Sequence, residues 1–319
     1  MASTEKQAAV TVGPLTAAAG EKVQGYLEVA GTPVKMPVTI INGEKAGRTV
    51  VITGGTHGGE YPGVETSIRL AKKLQPGDIS GQLIIVHPAN TPAFQAKLQY
   101  VGPYDGKNLN REYPGLATGT VTQRIAYTIS SLLFTQADFY MDLHGGDIHE
   151  SLTPFVIYSK VGDEAQTRLS IEAAKALGVK YVCGSTSTNG TFGCAASMGV
   201  PGFLGEIGSC GLWSEEEVKA YMDGVENVLR LLEVLPGGAA ENRDAVMVDH
   251  MEGLNAQQEG CWYPCVKIDE KVEKGQKVGE IRDYFGSVLG EYFAPCAGTM
   301  LYVISSLAIN VGDPLVAIG

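Results

Sequence analysis

Residues 51–70 read VITGGTHGGEYPGVETSIRL: an apolar run, a glycine-rich turn, and His57 and Glu60 three positions apart within that turn. An imidazole nitrogen and a carboxylate oxygen are both good zinc ligands. Three-residue spacing lets both side chains face one point if the segment turns tightly. Taken alone, the pair reads equally well as a surface turn. Further along, MDLHGGD ends a second apolar run on His144 and again follows it with two glycines. A His, a Glu and a distant His form the protein ligand set of a catalytic zinc site, with the fourth position left to water. Asp142 lies two residues before His144, on the same face of an extended strand, where it would orient an imidazole. His149 and Glu150 are rival ligands farther from the strand end.

A hydrolytic metal site also needs a proton carrier. Glu206 in GFLGEIGS ends a third apolar run between Gly205 and Gly208. A carboxylate there needs a partner or a task, and proton transfer at the metal is such a task. DGKNLNREYPG supplies an anion clamp. Arg111 offers a planar fork for a carboxylate, Asn110 donates beside it, and Asn108 shares the parity of Asn110. By itself this segment is an ordinary polar loop with a turn at Pro114-Gly115.

These residues need elements to hold them. MPVTII, GRTVVIT, QLIIVHP, DFYMDLH, TPFVIYS and GFLGEIG read as strands. Helical spacing covers residues 62–74, with Val64, Ile68, Ala71 and Leu74 on one face, and residues 121–132. It also covers residues 163–177, stopping at Gly178, and a stretch from the Ser214/Glu217 cap to about Val234. Alternating strands and helices predict an α/β sheet covered on both faces. Glycines at 54, 55, 58 and 59 are expected to allow unusual backbone angles and close approach of a ligand. LPGGAAENRD then breaks the pattern, and short strands with glycine turns follow. The chain therefore divides into an α/β unit over 1–240 and a small all-β unit over 241–319. The latter is similar to the barrel-sandwich fold of biotinyl and lipoyl carriers but has no matching carrier lysine in APCAGTMLYV.

The chain has 319 residues, 44% hydrophobic content and a formal net charge of -11. It can bury a large core, and its acidity argues against nucleic acid or anionic membrane as partners. Six scattered cysteines form no Cys-x-x-Cys pair, which points to reduced thiols in the cytoplasm. The first residues show no basic-then-apolar leader, and no apolar stretch is long enough to span a membrane.

GGTHGGE, NLNR, DLHGG and GEIG occur in the order found in the succinylglutamate desuccinylase/aspartoacylase family, within the zinc carboxypeptidase superfamily. The resemblance spans roughly residues 38–235, and the trailing β-unit also resembles that family's. The DGKNLNREYPG form looks most like the bacterial subgroup that includes N-acetyl diaminobutyrate deacetylases. This implies a zinc-carboxypeptidase-like mixed sheet flanked by helices. It also implies one zinc ion per chain on His57, Glu60 and His144, with Glu206 as general acid/base. Asn108, Asn110 and Arg111 would hold a substrate carboxylate. The implied activity removes an acyl group from a small N-acyl amino acid or related amine; trimming of short peptides by a metallocarboxypeptidase uses the same residues. Where aspartoacylases carry a carbonyl-polarising arginine, this chain has Pro103, so either another group takes that task or the metal and Lys107 suffice. A homo-oligomer is compatible with these features but not specified by them.

Overall fold

The computed structural model describes residues 7–319. Its largest sheet has nine strands. From edge to edge they are Val246–Val248, Tyr181–Ser185, Phe155–Ser159, Gly202–Glu206, Phe139–His144, Lys45–Gly54, Ser80–Val86, Lys35–Asn42 and Lys22–Glu28. The central four, from Gly202–Glu206 to Ser80–Val86, run parallel. Phe155–Ser159 and Lys35–Asn42 run against them, making the sheet mixed.

Register decides what this sheet positions. Gly54 pairs with Leu143, and His144 pairs with Glu206. The carboxyl ends of three adjacent parallel strands therefore align, which is where open α/β sheets bind ligands.

Both faces of the sheet's central strands are buried, so these strands are largely apolar. Val50 and Ile52 face one core cluster, with residues from Tyr61–Lys73, Glu164–Ala176 and Glu215–Leu231. Val51 faces the other, with Ile125, Ala126 and Ile129 of Val121–Leu132 and with Phe192 of Gly190–Ser197. The Glu164–Ala176 helix starts at an Asp163–Gln166 capping box, and Gly178 just past it adopts φ 86°. Ser214 Oγ accepts from Glu217 N at 3.2 Å, capping Glu215–Leu231 as its sequence predicts.

One face was misjudged. Ile68 is 41% exposed, because the buried stripe of Tyr61–Lys73 runs through Gly63, Ser67, Leu70 and Ala71 rather than through Ile68. At 100° per residue Ile68 falls well outside that stripe.

After Val248 the chain forms short antiparallel strands. One sheet holds Glu252–Asn255, Pro314–Ile318, Gly298–Ile304 and Lys271–Val272; the other holds Val288–Phe293, Lys277–Arg282, Gly260–Pro264 and Ala308–Ile309. A shared cluster around Trp262, Val278, Ile281, Met300 and Leu315 fills the space between them. Glu150–Leu152, just beyond His144, pairs with Gly298–Ile304 and joins the first of these sheets. Among the described residues no helix is long and apolar enough to cross a membrane.

Candidate metal centre

His57, Glu60 and His144 converge, each offering a ligand atom within 4.8 Å of the others, and all three are buried. His57 Nδ1 lies 2.6 Å from Glu60 Oε1, and His144 Nδ1 lies 2.8 Å from Glu60 Oε2. The second contact has ion-pair distance but not hydrogen-bond geometry, so Oε2 is a buried oxygen without a donor. Two imidazole nitrogens and one carboxylate aimed at a common point fit a divalent cation of the zinc type.

Each ring is set by an acceptor on its far nitrogen. His57 Nε2 donates to Asn108 Oδ1 at 3.1 Å, and that oxygen also accepts from Asn110 N at 2.8 Å. His144 Nε2 donates to Asp142 Oδ2 at 2.8 Å. Both tautomers, assigned from these partners, leave Nδ1 as the ligand atom. Asp142 is fully buried, and hydroxyls of Thr53, Thr56 and Thr191 complete its bonds at 2.7 Å, 3.1 Å and a short contact respectively.

The electrostatics describe a cation-shaped hole. Burial works against a charged His144, but Asp142 and Glu60 outweigh it and push its pKa well up. Burial alone would raise Glu60; the facing His144 and His57 rings hold it at about 2. In the metal-free chain, protons on Nδ1 thus take the place of a cation.

Glu206 sits one strand over, its backbone paired with His144. Its Oε2 is buried without a hydrogen bond, and burial, then the charge of Glu60, raises its pKa well above the carboxylate range. No ion pair links it to Arg111, whose Nη1 donates to the Asn110 carbonyl at 3.1 Å. Among the described residues Arg111 has no carboxylate partner within 4.0 Å. Lys107 is engaged with Glu112 at 3.0 Å. His149 is exposed and outside the cluster. Glu150 is buried but bonded to Tyr100 Oη and Asp147 N, away from the converging ligands.

The glycines act differently from expectation. Of positions 54, 55, 58 and 59, only Gly55 has positive φ, at 74°. A Cβ on residue 54 would stand 2.5 Å from Gly63 O; one on residue 58, 2.3 Å from the Ala93 carbonyl carbon. On residue 59 it would stand 1.9 Å from Asp147 Oδ1. These three serve close packing of protein on protein, not room for a ligand.

Sequence reading overlooked Tyr100, Asp147 and the three threonines. Thr53 and Thr56 sat within quoted motifs, and their hydroxyls beside an apolar strand end were the available signal. Tyr100 and Thr191 left none, because only tertiary folding brings them here.

Comparison with known proteins gives the family. Residues 46–232 match the succinylglutamate desuccinylase/aspartoacylase catalytic domain. The chain is 29% identical over 301 residues to N-alpha-acetyl-L-2,4-diaminobutyric acid deacetylase of Halomonas elongata, covering 91% of this chain and 87% of that protein. It is similar to the product-bound ectoine utilization protein EutE (DoeB) of Ruegeria pomeroyi, with 27% identity, TM-score 0.86 and 99% of each chain covered. It is also similar to a succinylglutamate desuccinylase of Silicibacter sp. TM1040, with 28% identity and TM-score 0.80 over 93% and 92% of the two chains. The matched domain, the shared architecture and the buried His-Glu-His cluster place this chain in the succinylglutamate desuccinylase/aspartoacylase family of deacylating hydrolases.

Proposed function

We propose that this protein is a zinc-dependent amidohydrolase that removes the acyl group from a small N-acyl amino acid. An Nα-acetylated diamino acid such as N-acetyl-2,4-diaminobutyrate is the leading candidate, given the relative named as the deacetylase of that compound. The observation that carries the reading is the buried convergence of His57, Glu60 and His144 at two adjacent strand ends, with Glu206 at the next.

One zinc ion per chain would be held by His57 Nδ1, Glu60 and His144 Nδ1. When bound, zinc supplies Lewis acidity that polarises an amide carbonyl and makes water a ready source of hydroxide near neutral pH. Glu206 takes the proton of the attacking water and delivers it to the departing amine nitrogen. The Glu60 charge that helps hold Glu206 protonated is neutralised by a bound cation, which frees Glu206 to act as a base. Arg111 and Asn110 hold the substrate carboxylate, orienting the scissile bond. In support, among the described residues the Arg111 guanidinium has no carboxylate partner, and neither Asn108 nor Asn110 donates its Nδ2 to a protein group. Asn108 contributes through that amide while its oxygen holds His57.

The division into a catalytic unit over 1–240 and a β-unit over 241–319 belongs to the same proposal; Val246–Val248 crosses that line to pair with Tyr181–Ser185. Cysteines without disulfides agree with a cytoplasmic location. The deciding assay loads the protein with zinc and offers N-acetyl and N-succinyl amino acids beside dipeptides. Release of acetate or succinate is expected. Amino acid release from dipeptides alone would overturn the deacylase reading in favour of a carboxypeptidase.

A further inference from the structure

One side of His57 is held by a group that reaches back to the C-terminal strands. The ring of Tyr100 meets His57 edge-on, with centroids 5.7 Å apart and planes at 79°. Tyr100 adopts φ 58°, an uncommon conformation for an aromatic residue. Something must therefore hold it there. Its backbone N donates to Asp147 Oδ2 at 2.8 Å, and the next residue, Val101, bridges to Asn108, the residue on the far nitrogen of His57. Its hydroxyl donates to Glu150 Oε1 and lies 3.4 Å from the hydroxyl of Tyr302.

The cluster is closed. Glu150 Oε2 accepts from Asp147 N at 2.7 Å, and Asp147 Oδ1 accepts from Ile148 N at 2.7 Å. Asp147 packs so tightly on Gly59 that no side chain fits there. Tyr302 enters this cluster from Gly298–Ile304, whose register sets it opposite Leu152 and sets Ile304 opposite Glu150. The same ladder passes through Glu150–Leu152 to the segment after Glu206: Cys210 N donates to Glu150 O at 2.7 Å, and Leu152 N to Ser209 Oγ at 3.0 Å.

We propose that Tyr100 and Tyr302 are positioning residues. The C-terminal strand, through Tyr302, seats Tyr100 and Glu150 so that Tyr100 fixes the ring plane of His57 and the aim of its Nδ1. The C-terminal unit thereby sets the affinity of the metal centre as well as standing beside it. This rests on the zinc reading of the site. Tyr302 acts through Tyr100, so the two are not independent.

The test uses Tyr302→Phe, Tyr100→Phe and the double variant in the full chain. Each keeps its ring and loses one hydroxyl. Zinc affinity is read by competition with a chromophoric chelator, beside the thermal midpoint of the metal-free protein and the split of kcat against KM. Tyr100→Phe is expected to weaken zinc binding by about 10-fold, the lower end of the range for groups that orient ligands, and Tyr302→Phe by somewhat less. The double variant should be no weaker than Tyr100→Phe alone. kcat should fall while KM holds. A purely structural role would lower the thermal midpoint and leave the zinc constant unmoved, and that result for Tyr302→Phe overturns the proposal, as does an additive double variant. If Tyr100→Phe fails to fold, the zinc constant of Tyr302→Phe decides. A wild-type chain that binds no zinc overturns the metal reading itself and this inference with it; tight wild-type binding with unmoved variants overturns this inference alone.

Discussion

Asp142→Asn tests the logic of the centre with the smallest change. Asp142 accepts on Oδ1 from Thr53 and Thr56 and on Oδ2 from His144 and Thr191, all in a fully buried setting. An asparagine must turn its NH₂ toward one of these pairs. Threonine hydroxyls can rotate to accept, but the Nε2–H of His144 cannot, so the amide nitrogen goes to the Thr53/Thr56 side. The shape survives and the charge is lost. Ligand-orienting carboxylates of this kind are worth about 10–100-fold in metal affinity, or roughly 1.4–2.7 kcal/mol. Chelator competition should therefore show zinc affinity reduced by that factor. In the metal-free variant the His144 pKa should drop, because Asp142 is the foremost group raising it against burial. Nuclear magnetic resonance titration of His144 reads this directly. Zinc affinity within about twofold of wild type, with an unmoved His144 titration, would refute the argument that Asp142 sets this ligand.

Glu206→Gln should cut turnover by at least ~100-fold while metal analysis finds zinc retained; activity above about a tenth of wild type removes Glu206 as the proton carrier. Gly59→Ala should cost about 1–3 kcal/mol in chemical denaturation, because its Cβ would meet Asp147 Oδ1 at 1.9 Å. Adding Asp147→Ala should recover part of that loss, and strict additivity would show that the contact is not its cause. Burial raises Glu150 to about 7 and Asp147 to about 6, each helped by the charge of Glu60. Both hold their protons more tightly folded than unfolded. The metal-free protein therefore loses their contribution as pH rises from about 4 through about 7, where the unfolded chain binds fewer protons. Glu150→Gln should flatten that fall in unfolding free energy, read by chemical denaturation across this pH range, by up to about 3 kcal/mol, and an unchanged slope would contradict the assignment.

The convergence of His57, Glu60 and His144 was legible because His144 ends a strand and His57 and Glu60 lie in the turn just after the neighbouring one. His57, His144 and Glu206 follow apolar runs that bury both faces, and parallel register alone then brings their ends together. Asp142 was legible by the two-residue period of a strand. The exposed face given to Ile68 was not, because it depends on which helices pack beside Tyr61–Lys73, and Glu215–Leu231 lies far away in sequence. Strands Lys22–Glu28 and Tyr181–Ser185 carry half-exposed or glycine-bearing patterns that resemble loops, and they were missed. The role of the turn glycines was misread for the same reason. Close approach to Ala93 and Asp147 is a tertiary fact, while only Gly55 needs its freedom of φ.

The centre places five carboxyl groups, Glu60, Asp142, Asp147, Glu150 and Glu206, in largely buried positions, and elementary electrostatics forbids them all to be charged without a cation. The metal-free chain resolves this by division. Despite burial, Glu60 stays ionised because both imidazoles face it, and Asp142 because His144 and the hydroxyls of Thr191 and Thr53 do. Burial pushes Asp147, Glu150 and Glu206 upward instead, with the Glu60 charge adding to each. Nothing in the packing of a hydrophobic sheet calls for such a cluster. The stability it costs is intelligible if a divalent cation belongs at Nδ1 of both rings, since that charge replaces the imidazole protons and relaxes the three raised carboxyls together. Zinc affinity must then fall as pH falls, with protons returning to the rings first. The proposed proton carrier and the proposed ligands are thus one electrostatic unit, and the Tyr100–Glu150–Tyr302 contact ties the C-terminal strands to it.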